Sequence, residues 1–150
     1  MAVDVKLIKK LREETQASIA DCRKALEETK GNHDKAIEWL KKRGIEKAEK
    51  KADRKTEQGL VESYIHQNGK VGALIVITCE TDFVARTDDF KHLAHEVAMQ
   101  VAAMNPKNVD TLLKQEYIRD SSQTIDSLVK QAIGTLGENI VIKEITRFEI

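Results

Sequence analysis

The chain has 150 residues, a length that fits one domain of ordinary size or a small domain joined to a larger one. Hydrophobic residues make up 41% of it and charged residues 33%, a balance typical of a globular protein. Its 25 basic and 25 acidic residues cancel, and a neutral chain gains little from counterion release, so direct binding of nucleic acid is disfavoured.

Targeting signals are not evident in the sequence. No run approaches the ~18 apolar residues that a membrane span needs. The first residues, MAVDVKLIKK, lack the apolar stretch of a signal peptide, so we expect a cytoplasmic location. Cys22 and Cys79 lie far apart in apolar surroundings and are interpreted as small core residues.

Three short helices are predicted over residues 1–44. Asp4, Ser18 and Asn32 (or Asp34) are suited to cap their first turns, because a short side-chain oxygen accepts from a free backbone amide. Glycines at 31 and 44 are predicted to end the second and third helices. These helices form a small unit with its own thin core.

A charged segment follows at residues 45–59, IEKAEKKADRKTEQG. Its alternating charges and alanines predict a solvated helical linker with ion pairs four residues apart. A plain spacer is the favoured role for it.

The larger unit is predicted over residues 60–150, where strand patterns appear. Residues 60–66 and the β-branched run 71–79 flank Asn68-Gly69, a strong hairpin signal. Residues 138–150, ENIVIKEITRFEI, alternate as a closing strand. The fold class predicted from these patterns is α+β, with a small antiparallel sheet packed against helices.

Helices between these strands are predicted from their caps. Thr87 or Asp88 is expected to begin one that Asn105-Pro106 ends. A weaker helix is expected over residues 109–118. Ser121 or Ser122 is expected to cap another that ends at Gly137.

Patterns of catalytic or metal chemistry are weak. The sequence contains neither of the common glycine-rich phosphate-binding motifs. His92 and His95 are three residues apart on a predicted helix, but two ligands are too few for a zinc site. We therefore expect no enzyme activity, metal or cofactor.

The segment CETDFVAR, residues 79–86, lies between the most apolar strand and a capped helix. Thr81 is suited to cap a single helical turn that carries Asp82 and Phe83 at the end of the sheet. Spacing alone favours Phe83 as a core residue rather than an exposed one.

At this segment the sequence resembles the bacterial elongation factor Ts family, in which TDFVA follows a strand that ends in Cys-Glu. Residues 7–44 are similar to that family's ubiquitin-associated-like (UBA-like) module, followed by its charged linker. NGKVGALIVITCETDFVAR resembles the first hairpin of its core domain, and IGTLGENIVIK its closing helix and strand. The ordered set covers most of the chain and is far more specific than any single motif.

Some positions depart from the family pattern. Residues 16–20, QASIA, replace a turn that usually contains glycine and methionine. Lys143-Glu144 stands where two basic residues are common. Between residues 108 and 117 the chain is shorter than typical members, so a contact made through that segment does not carry over.

The resemblance implies a function without covalent chemistry: release of GDP from a GTPase, elongation factor Tu, by displacement of its Mg²⁺. Thr81, Asp82, Phe83 and Val84 match the displacement motif, with Phe83 as a wedge and Asp82 as its support. A second contact is implied for the N-terminal module. The matching residues there are Lys9, Arg12, Ile19, Ala20 and Arg23.

A homodimer is also expected through the core domain, with the closing strand at the interface. Phe148 and Ile150 would lie in that interface, or would instead cover the helices of their own chain. The alternative function is a UBA-like adaptor without exchange activity, which leaves the Thr81–Val84 motif unexplained. A nucleic-acid-binding translation protein and a small enzyme are less favoured.

Overall fold

A computed structural model describes residues 2–150 and has the predicted α+β class. Within these residues the main sheet is antiparallel and has three strands, and two further short strands form a separate hairpin. The helices are α1 (Val5–Thr15), α2 (Ile19–Glu28), α3 (His33–Glu49), α4 (Asp82–Ala85), α5 (Asp88–Met104), α6 (Val109–Lys114) and α7 (Ile125–Leu136). The strands are β1 (Gln58–Ile65), β2 (Val71–Cys79), β3 (Glu116–Tyr117), β4 (Asp120–Thr124) and β5 (Ile140–Glu149).

The N-terminal helices begin at the expected caps. Asp4 accepts from the amide of Lys6, Ser18 from that of Asp21, and Asn32 from that of Lys35. Each bond satisfies an amide that has no partner within its helix. The apolar faces then meet in a cluster of their own: Leu11, Cys22, Ala25, Leu26, Ala36 and Leu40.

Helix α3 extends beyond the end predicted at Gly44, and that prediction was wrong. Gly44 lies against Gly134 of α7, where a methyl group on Gly134 would come within 2.8 Å of the Gly44 Cα atom. The missing side chains therefore let two helices approach closely, as happens where a glycine is kept for packing. Helix continues only to Glu49 of the predicted linker, and Ala48 is buried in the larger core.

The sheet forms as its sequence predicts. Strands β1 and β2 pair antiparallel across the Asn68-Gly69 turn, where Gly69 has a φ of 72°. Strand β5 pairs with the other edge of β2, with a register shift between Val76 and Ile77. One sheet face packs on α5 and α7 through alternating residues, including Ala73, Ile75, Ile77 and Ile142.

The segment after α5 differs from the prediction. Helix α6 ends at Lys114, β3 and β4 follow, and Thr124 rather than Ser121 or Ser122 caps α7. The buried Gln100 of α5 fixes this hairpin by donating to the carbonyl of Glu116 and accepting from the amide of Ile118. Among residues 2–150, no helix is both long and apolar enough to cross a membrane.

Candidate partner-binding site

The predicted helical turn after β2 is present as α4. Thr81 precedes it in an extended conformation, and its hydroxyl accepts from the Val84 amide at 3.3 Å. The turn is four residues long and is followed almost at once by α5, which Thr87 caps. Two capped helices therefore follow the central strand in close succession.

Phe83 is exposed on this turn, with 83% of its surface accessible. The preference for a core position, drawn from spacing alone, was wrong. Val84 and Ala85 take the buried side of the turn, and Phe90 of α5 fills the adjacent core with no accessible surface. Successive residues of an α-helix point about 100° apart around its axis. Because Val84 and Ala85 both face the core, the side chain of Phe83 points away from it.

Glu138 contacts the Thr81 backbone and side chain together. Its Oε1 atom accepts from the Thr81 amide at 2.9 Å, and its Oε2 atom accepts from the Thr81 hydroxyl at 2.7 Å. This glutamate lies between α7 and β5, 57 residues further along the chain. Spacing could not have indicated the pairing, although both residues lie in motifs that the sequence singles out.

A second contact runs in the opposite direction between the same segments. The amide of Asn139 donates to Glu80 Oε2 at 2.7 Å. The buried Asn139 side chain donates to the carbonyls of Arg54, at 2.8 Å, and Ala52. The start of the turn is thus bonded to the segment before β5, which is bonded in turn to the segment after α3.

Asp82 lies on the exposed side of the turn beside Phe83. Arg86 holds its carboxylate through an ion pair of 2.8 Å between Arg86 Nε and Asp82 Oδ2. Both side chains remain largely accessible, so this pair contributes little to stability. It does keep a charged acceptor close to the exposed aromatic ring.

The N-terminal residues implied by the resemblance are all exposed. Lys9 and Arg12 are three positions apart on α1 and therefore share a face. Ile19 and Ala20 form the start of α2, and Arg23 follows them, paired with Glu27 at 3.0 Å. Ile19 is an apolar side chain on the surface that the module's own core does not use.

The described part of the chain contains neither a clustered metal site nor a disulfide. No group of three or more histidine, cysteine, aspartate or glutamate side chains there could hold a metal. His92 and His95 are exposed on α5, and His92 lies 3.7 Å from Glu96. Burial raises the pKa of Cys22 and of Cys79, and both thiols are unbridged, as expected of core residues.

Comparison with known proteins identifies the relatives of this sequence. The family described as "Elongation factor TS" matches residues 80–150, which include the Thr81 turn and Glu138. A protein of Nostoc sp. named elongation factor Ts is 47% identical over 148 residues, which cover 99% of this chain and 47% of that protein. Relatives of the same name occur in Rippkaea orientalis and Coprothermobacter proteolyticus.

These two relatives match more of their own length. The Rippkaea protein is 41% identical and is covered to 77%, with 97% of this chain matched. The Coprothermobacter protein is 40% identical and is covered to 99%, with all of this chain matched. That alignment runs over 195 positions, so this relative has residues that face no residue of the 150 here. The chain spans about half of the Nostoc protein and nearly all of the Coprothermobacter one.

Proposed function

The chain belongs to the elongation factor Ts family, and on that basis we propose that it releases GDP from elongation factor Tu during translation elongation. The activity is an exchange reaction in which no covalent bond of the protein or the nucleotide changes. It takes place in the cytoplasm, where the partner GTPase works. No cofactor is needed, because binding energy alone drives the release.

The observation that carries this proposal is the exposed Phe83 on an anchored turn. An aromatic side chain left in water forgoes the free energy of burial, about 25 cal/mol for each Å² that a partner could cover. Anchors of this kind dominate protein interfaces when they enter a pocket, and truncating one often costs ~2 kcal/mol or more. Phe83 has this form within the motif Thr81–Val84, while Val84 itself is buried beneath it.

Phe83 acts as a wedge between side chains of the GTPase near its nucleotide. Because the Mg²⁺ of the partner bridges phosphate and protein ligands, moving one element of that pocket weakens metal and nucleotide together. Asp82, held by Arg86, supports the displaced arrangement from the rim. Each tenfold loss of GDP affinity requires about 1.4 kcal/mol of coupling, and GDP weakens the binding of this protein by the same factor.

The N-terminal module supplies the second contact. Lys9 and Arg12 offer cations on one face of α1, and Ile19 and Ala20 offer an apolar start of α2, with Arg23 next to them. The module packs against α7 through two contacts. Gly44 and Gly134 approach each other closely, and Gln131 Nε2 donates to the Lys41 carbonyl at 2.7 Å. The contacts between α3 and α7 therefore connect the module to the domain that carries Phe83.

A second copy of the chain is the further partner that we propose. The outer sheet face, meaning Val61, Ile65, Leu74 and Phe148, is apolar and exposed on all three strands. Phe148 and Ile150 are 74% and 95% accessible, so they do not cover the helices of their own chain. A C₂ dimer would bury this face against itself.

The alternative is an adaptor that binds another protein through the UBA-like module. Exposed Ile19 would serve such a role as well. The adaptor leaves the Thr81 turn, its exposed phenylalanine and its charged supports without a purpose, so exchange is favoured.

Release of a fluorescent GDP from elongation factor Tu tests the proposal. The complex is diluted into excess unlabelled GDP, and the chain is added at about one-twentieth of the GTPase concentration. We expect complete release, faster than the intrinsic rate, because each molecule serves many GTPases in turn. Release at the intrinsic rate, with binding of the two proteins still detected, would support the adaptor instead.

A further inference from the structure

The turn that carries Phe83 is too short to be stable by itself. A single helical turn fixes several backbone angles for few hydrogen bonds, and isolated helices below about 12 residues are marginal in water. Helix α4 has four residues, and only Val84 and Ala85 of it are buried. Its conformation therefore depends on the contacts at its ends.

Glu138 makes the strongest of those contacts. Its carboxylate accepts two hydrogen bonds from Thr81, at 2.9 and 2.7 Å, and bonds to an ionised acceptor are roughly twice as strong as neutral ones. The second bond has a directional effect. A hydroxyl has one proton, and because Thr81 donates it to Glu138, a lone pair remains to accept from the Val84 amide.

Glu138 is itself held in place by its surroundings. Gly137, with a φ of 78°, ends α7 directly before it, and Asn139 directly after it is buried and bonded to Glu80 and to the Arg54 carbonyl. The carboxylate thus projects from a segment fixed on both sides. This arrangement places the Glu138 backbone where its side chain reaches Thr81.

We propose that Glu138 is a positioning residue for nucleotide exchange, an inference that rests on the proposed function. It acts through Thr81 and does not touch the GTPase. By holding the turn in one conformation it presents Phe83 in the orientation that the wedge requires. A turn that occupies this state only part of the time loses activity in proportion to the missing fraction.

Two measurements on Glu138→Ala test this role, with Glu116→Ala as a matched control at an exposed glutamate. At saturating protein, the maximal rate of GDP release should fall about tenfold, the loss of about 1.4 kcal/mol expected for charge-assisted bonds. The half-saturating concentration should change little, because the N-terminal module still docks. An unchanged maximal rate in Glu138→Ala would overturn the proposal.

The double variant Phe83→Ala/Glu138→Ala separates positioning from general stability. If Glu138 acts through Phe83, adding Glu138→Ala to Phe83→Ala should change the rate by less than about twofold, because the coupled effects are not additive. If the double variant instead loses the product of the two single-variant fold-changes in rate, Glu138 does not act through Phe83. Should Glu138→Ala fail to fold, Glu138→Gln keeps the shape but offers one acceptor oxygen, and the same comparisons apply.

Amide hydrogen exchange in the free protein provides a readout that needs no GTPase. In Glu138→Ala the amides of Thr81 and Val84 should exchange at least about tenfold faster, while that of Ile77 in β2 stays protected. Equal protection of Thr81 and Val84 in both proteins would overturn the positioning role. If the wild-type chain does not accelerate GDP release, the proposed function is wrong, and amide exchange still decides whether Glu138 orders the turn.

Discussion

Glu96 of α5 shows how a buried charge is stabilised in this core. Burial alone would raise its pKa, but hydrogen bonds from the Tyr117 hydroxyl and Arg119 Nε, both 2.7 Å, outweigh burial and hold the pKa of this carboxyl below its usual value. Burial and the hydrogen bond to Glu96 raise the pKa of Tyr117. The ionised carboxylate therefore binds two groups of the β3–β4 hairpin to the long helix.

Replacing Glu96 by glutamine should make the free energy of unfolding vary less with pH in the acidic range. A carboxylate with a lowered folded pKa contributes stability above its unfolded pKa, near 4.3, and this is lost as pH falls through the folded value. At pH 7 we expect the variant to lose roughly 1.5–3 kcal/mol of unfolding free energy, and at pH 3 the difference should shrink. Urea denaturation of both proteins at pH 7 and from pH 5 to pH 3 measures the difference.

Other acidic groups such as Asp21, whose pKa Lys47 lowers against the effect of burial, are common to both proteins and cancel in the difference. Parallel stability curves over this pH range would contradict the role given to Glu96.

At the scale of single residues, the sequence predicted every helix N-cap described above except that of α7, and it predicted the Thr81 turn, but not the orientation of Phe83. Caps depend on neighbours two or three residues away, which a pattern contains. Phe83 is exposed because Phe90 fills the adjacent core, and the turn that carries Phe83 is held by Glu138. Both contacts arise only in the tertiary fold.

The packing of α3 on α7 depends on two glycines at the helix crossing. A methyl group on Gly134 would lie 2.8 Å from Gly44 Cα and 3.0 Å from the Gly44 carbonyl oxygen. Gly134→Ala gains about 1 kcal/mol of helix propensity but should cost about 1–3 kcal/mol in overpacking. We expect net destabilisation in urea denaturation.

Thr135→Ala, at the exposed neighbouring position, is the control for this variant and should be close to neutral. Stabilisation of Gly134→Ala by the full propensity gain would show that the two helices do not meet at this crossing.

Elements with strong local signals were predicted well, and the others were not. The hairpin β1–β2 was predicted from its Asn-Gly turn and the β-branched run of β2, and strand β5 from its alternating pattern. Strands β3 and β4 were missed because their residues are few and mostly polar, and contacts with Gln100 and Glu96 hold them. Helix α3 passes its predicted stop because Gly44 serves a helix contact instead of a cap.

For the whole molecule, the domain boundaries at residues 44 and 59 remain a prediction. The described residues form two core clusters, and α3 contributes Leu40 to one and Ala48 to the other. The module and the sheet domain are joined by this continuous helix and by the bonds of Asn139 to the segment after it.

Assembly is tested by the mass of the chain in solution. If the outer sheet face pairs two copies, light scattering at micromolar concentration should give twice 16.9 kDa for the wild type. Phe148→Lys should give 16.9 kDa, because a charge cannot be buried unpaired in that interface. Met104→Lys, at another exposed apolar side chain, is the control and should stay dimeric. A wild-type mass of 16.9 kDa at every concentration would end the dimer proposal.

The most direct test of the account compares wild type, Phe83→Ala and Met104→Ala in the fluorescent GDP release assay. Since Phe83 is exposed, its loss should leave the melting temperature nearly unchanged, and removal of a binding anchor worth ~2 kcal/mol should slow stimulated release about thirtyfold. Met104→Ala should match the wild type in both respects. Wild-type exchange by a normally folded Phe83→Ala would contradict the account, since the exposed ring of the Thr81 turn would then play no part in releasing the nucleotide.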